Sequence, residues 1–212
     1  MENSGLVGGF YRLSEWIMRL AFLNILWIIF SIAGLLLFGI TPATVAVFTI
    51  IRKWFMGQVD IPIFKTFTSV FKGEFVKVNV LSFLIGAICI IIYIDFILIA
   101  SFGGIVQSLL FAVLVIVSLL LLIITLYIFP VYVHYDLKFF DYLKWSLIIG
   151  LLNPAATITI MVGIIVLYQI YTFIPGFIPF FSMSLIGMAI MGPAYFSIQK
   201  IEDRKKTLQE SN

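Results

Sequence analysis

The chain has 212 residues, of which 63% are hydrophobic and 11% charged, and its formal net charge is +3. Soluble domains carry roughly 25% charged residues, so a soluble globular class is excluded, and a charge this small, spread over short segments, gives no basis for nucleic-acid binding. One cysteine, Cys89, excludes an internal disulfide, and its place within an apolar run predicts a buried space-filler.

The charges are strongly patterned. All thirteen Lys and Arg fall within 2–19, 52–77, 136–144 and 200–210, together with every Asp and Glu except Asp95. Ionised side chains are costly near a bilayer centre, and about 20 apolar residues as helix span its core. The pattern predicts an all-α, polytopic membrane helix bundle in one integral membrane domain, 1–212, with about six membrane helices. No cleavable signal peptide is expected, because the first apolar run is long enough to span and no small-residue cleavage site follows it.

In chain order, 1–19 predicts an N-terminal interfacial segment, with Arg12, Glu15 and Arg19 on one helical face. A first span follows over 20–38. Gly39-Ile40-Thr41-Pro42 reads as a stop and restart, with Thr41 as the cap and Pro42 in the first turn of a short second membrane helix, 42–55. Phe64, Phe67, Phe71 and Phe75 then recur at helical spacing among Lys65, Lys72, Glu74 and Lys77. That is the pattern of an amphipathic helix, either lying in the interface or packed on the cytoplasmic ends of the bundle.

Spans three and four are expected over 78–100 and 109–131, joined by a polar turn. A second charged and aromatic amphipathic segment runs from 136 to 152, with Asp136 as a helix cap. Asn153 then caps a fifth span, 154–173, and the prolines of 174–179 break the chain before a sixth, 180–198. Residues 200–212 form a charged tail. If every span crosses, all the charge clusters share one side. The positive-inside rule makes that side the cytoplasm, with both termini there in a bacterial plasma membrane. Trp16, Trp54 and Trp145 fall at the predicted boundaries, as an aromatic belt requires.

Asn24 and Trp27, then Gly34, Phe38-Gly39-Ile40-Thr41-Pro42-Ala43 and Arg52-Lys53-Trp54 resemble the YesL family of bacterial integral membrane proteins. In that family an N-x-x-W span leads to an F-G-x-T-P-A turn and a basic helix end. The resemblance is dense over 20–80, with one departure at Ala33, where the family often has proline and a kink. It implies a multi-pass membrane protein of unestablished activity whose members are linked with carbohydrate-uptake and polysaccharide-degradation loci. Asn24, Trp27, Gly39, Thr41, Pro42, Arg52 and Lys53 are its structural motif residues.

Chemistry-bearing candidates are few. Asp95 stands alone in the outer part of the third span. It is a candidate substrate or ion ligand, against the plainer reading of a carboxylate close enough to the surface to be wetted. His134 has neither a second His nor a Cys to complete a metal site, so it reads as an interface anchor. Asn153-Pro154-Ala155 lacks the paired motif and pore arginine of an aquaporin. No nucleophile elbow, P-loop or zinc-protease motif occurs, so neither an enzyme nor a cofactor or metal is expected. The partners to expect are the lipid bilayer and a transporter or cytoplasmic protein. The function is then either an accessory or permease-like part of carbohydrate uptake, or a non-transporting scaffold or regulator that binds partners through its basic-aromatic face.

Overall fold

The computed structural model describes residues 6–210, and every element among them is helical. In order these are α1 (Leu6–Ala33), α2 (Ile40–Phe55), α3 (Ile63–Ile99), α4 (Gly104–His134), α5 (Phe139–Leu152), α6 (Pro154–Phe173), a 3-10 turn at Pro175–Phe177, and α7 (Ile178–Glu210). Residues 1–5 and 211–212, the extremes of the interfacial segment and the tail, lie outside the described residues. Five helices, α1, α3, α4, α6 and α7, are long and apolar enough to cross a membrane.

α2 is the shortest of the expected membrane helices and the most enclosed. Its 16 residues cover about 24 Å at 1.5 Å rise per residue. Ala43, Ala46, Val47, Phe48, Ile50 and Ile51 are all fully buried. A helix this buried must be covered on most of its sides, and α1, α3, α4 and α7 all pack on this one. α2 returns the chain to the end where α1 begins: Trp16 and Trp54 meet edge to face at 5.3 Å, and Arg19 reaches Asp60 at 2.9 Å.

The packing forms two linked clusters. Leu23, Leu26, Phe48, Phe67 and Met191 centre one on α2. Tyr127, Tyr142, Ile149, Ile160 and Ile198 centre the other on α4 and α5. Val70, Phe129, Val133 and Ile190 pack against both.

Several expectations change at the level of elements. The interfacial segment and first span are one helix, α1, and the phenylalanine-rich segment is continuous with the third span as α3. Between Lys77 and Val78 there is no Pro or Gly to stop the helix, so it runs on for 37 residues, about 55 Å. Its stripe packs sideways on α1 and α2: Phe67 is fully buried, and Phe30 touches the rings of Phe67 and Phe71 at 5.0 Å each. Trp54, expected in an aromatic belt, is instead 5% exposed within the core. Cys89, expected to be buried, is exposed on α3. The second amphipathic segment is a helix of its own, α5, flanked by Lys138 and Asn153.

Candidate functional site

The motif residues of 24–53 lie along α1, α2 and the turn between them, and Asn24 reaches across to α7. Asn24 is fully buried. Its Nδ2 donates to the Pro179 carbonyl at 2.9 Å, and its Oδ1 accepts from the amides of Met183 at 2.7 Å and Ser184 at 3.2 Å. The Pro179 carbonyl and the Met183 amide are the i, i+4 pair that would bond to each other in an uninterrupted helix. The Asn24 amide therefore bonds to both members of that pair in the first turns of α7. From the other side, the Tyr171 hydroxyl lies 3.2 Å from the carbonyls of both Phe181 and Ser182. Two side chains thus bond to the backbone of the first turns of α7, where an unpaired polar group would cost free energy.

Trp27 Nε1 donates to Thr44 Oγ1 at 3.0 Å, and Thr44 in turn donates to the Ile40 carbonyl. Gly34 and Gly39 are where the chain meets itself. A Cβ on Gly34 would collide with the Gly39 backbone, and one on Gly39 with the Ser31 carbonyl. Both glycines serve this close approach, so the left-handed turn conformations fall to Leu35 (φ 60°) and Leu36 (φ 57°). Thr41 does not cap α2. The N-cap is Gly39, without a side-chain bond, because the helix starts at Ile40 and carries Thr41 and Pro42 inside its first turn.

The charge clusters meet through side-chain contacts. Arg19 joins Glu15, Asp60 and the Val59 carbonyl. Lys77 reaches Asp136 at 3.6 Å and donates to the Tyr142 hydroxyl at 3.2 Å, with its ammonium over the rings of Tyr132 and Tyr142. The Tyr132 hydroxyl donates to Glu74 at 2.6 Å. Asp136, expected as a cap, makes this ion pair instead, and Lys138 holds the N-cap position of α5.

Arg52 Nε donates to His134 Nδ1 at 3.2 Å, and His134 Nε2 lies 3.2 Å from Glu202 Oε1. Because Nδ1 accepts from Arg52, the proton of a neutral imidazole sits on Nε2 and points at Glu202. The ring ties α2, α4 and α7 together. Tyr135, in the link after α4, also donates to Glu202. Burial first, and then that carboxylate's charge and hydrogen bond, push its phenol well above the usual range. Lys53 is half-buried in the last turn of α2, where a cation suits the helix C-terminus.

Asp95 joins neither network. It is half-buried near the C-terminal end of α3, and no hydrogen bond or ion pair engages it among the described residues. Asn153 occupies the N-cap position of α6, but its Nδ2 turns back to the Ile149 carbonyl at 3.2 Å and closes α5. Glu202, Asn79, Tyr142 and Tyr171 were not singled out by sequence. Their partners lie tens of residues away or on backbone carbonyls, and no local spacing marks them.

These features define a class: a polytopic helical membrane protein whose buried polar side chains fasten one helix to another. Residues 20–96, which cover the second half of α1, all of α2 and most of α3, match the family described as "Protein of unknown function, DUF624". Three proteins of Bacillus subtilis (strain 168) align over nearly the full length. "Uncharacterized protein YteU" is 39% identical over 202 residues, 95% of this chain and 90% of the relative. "Uncharacterized protein YesV" is 38% identical over 91% of this chain and 92% of its own, and "Uncharacterized protein YesL" 33% identical over 93% of each. The chain belongs to this YesL-like DUF624 family. No solved structure matches it.

Proposed function

We propose that this protein is a non-transporting accessory protein of the bacterial plasma membrane, holding a partner against its charged and aromatic end. One observation carries the reading: most polar groups within the bundle are bonded to other parts of the chain, whereas polar and aromatic groups at the charged end are left outward. Asn24, Thr44, Asn79, Thr157 and Tyr171 all bond to other parts of the chain. By contrast Phe64, Lys65, Lys72, Lys138, Phe140 and Lys144 are exposed. Exposed aromatic and basic groups in one region are the composition of a recognition surface. The clustering of every Lys and Arg supports a cytoplasmic position for this end. The link to carbohydrate-uptake loci implied by the family resemblance supports a transporter or its cytoplasmic component as the partner.

The test pairs two measurements. Purified protein in liposomes is expected to pass no labelled oligosaccharide above empty vesicles, and protein-dependent flux would contradict the proposal. A photo-crosslinker at Phe140 is expected to give one discrete adduct in cells, lost when Lys138 and Lys144 are reversed to Glu. A crosslinker at Phe22, exposed on the side of α1, should give none, and equal adducts at both positions would also contradict it.

A further inference from the structure

We propose that the outer part of the α3–α4 hairpin, centred on Asp95, is a docking surface for a transmembrane helix of another membrane protein. That helix carries a lysine or arginine at the matching depth. The argument starts from where cover ends. Asn79 Nδ2 donates to the Phe38 carbonyl at 2.9 Å, and Phe83 meets Phe38 at 5.6 Å. The α1–α2 turn therefore lies alongside 79–83 of α3. From Phe83 to Ile99, α3 continues for about 24 Å at 1.5 Å per residue. Over that length Ile90, Ile91, Tyr93, Ile97 and Leu98 are exposed, as are Ile105 and Leu109 on α4.

Lipid covers apolar side chains as well as protein does, so this surface alone specifies nothing. Asp95 does. It shares its side of α3 with Ile91 and Leu98, one helical turn before and after it. Lys77 lies 18 residues back, or about 27 Å along the helix, and all the Lys and Arg lie in the four clusters. Neither this chain nor a second copy in the same orientation can set a cation beside Asp95. A carboxylate on an apolar helix face near the outer boundary is costly unless it is wetted or paired, and a basic group on a neighbouring helix pairs it.

The test uses the whole protein in liposomes, labelled at its one cysteine, Cys89, which is exposed six residues before Asp95. The probes are two synthetic leucine–alanine spans, one with a lysine at the depth of Asp95 and the other with leucine there. Energy transfer is expected to show roughly tenfold tighter association of the lysine span, within the range of polar contacts between membrane helices. Asp95→Asn should remove the difference and Asp95→Glu should keep it. If both spans associate equally, because the carboxylate is wetted or lipid covers the face, the proposal falls. It falls equally if Asp95→Asn changes nothing. Adducts at Phe140 do not depend on either outcome, so this result and that of the charged end are separable.

Discussion

Asn24 illustrates how one amide decides a local structure. With it in place, one carbonyl and two amides at the start of α7 have a side-chain partner. Asn24→Leu removes those bonds in an apolar setting, at about 1–3 kcal/mol for any group left unsatisfied. The expected result is a marked drop in the thermal midpoint in detergent, with Asn24→Asp, which keeps the acceptor, falling less. Equal loss in the two variants would mean that bonds to the α7 backbone are not what Asn24 supplies. Gly39→Ala is expected to be worse tolerated than Leu35→Gly. The first puts a methyl group into the Ser31 carbonyl, whereas the second relieves a left-handed residue that costs about 1–2 kcal/mol. Comparing the two midpoints checks this. A motif reading pointed to Asn24, Trp27 and Gly39 as structural but could not say to what they attach. The Asn24 contacts are more than 150 residues away in sequence, and nothing local encodes them.

At the scale of elements, the sequence showed the apolar stretches and breaks well, because charge exclusion and proline both act locally. Helix continuity was less visible. A change from basic-aromatic to apolar composition looks like a boundary, but α3 passes through it because composition alone does not interrupt a hydrogen-bond ladder. Amide exchange across 70–84 of α3 is therefore expected to be slow without a break, and a fast-exchanging patch at 77–79 would contradict one continuous helix. The His134 bridge makes a second claim at this scale. His134→Phe removes the links from α4 to Arg52 and Glu202 while keeping bulk. It should accelerate exchange in the C-terminal turns of α7 more than at its N-terminal end, where Asn24 still holds.

In the molecule as a whole, five long helices and the short, buried α2 bring four charge clusters to one end. Contacts between clusters make this concrete: Arg19–Asp60 joins the first two, Lys77–Asp136 the second and third, and Arg52–His134–Glu202 reaches the fourth. The charge pattern made that arrangement legible in the sequence, on condition that α2 returns the chain. The uneven depth of the turns was not legible, since it depends on how far α1 and α2 reach along α3. The most direct measurement is labelling of single cysteines, in a Cys89→Ser background, by a membrane-impermeant maleimide on intact cells. Phe102→Cys is expected to be labelled from outside. Lys65→Cys, Lys138→Cys and Lys206→Cys should react only after the membrane is opened. Outside labelling at any one of the three would contradict it.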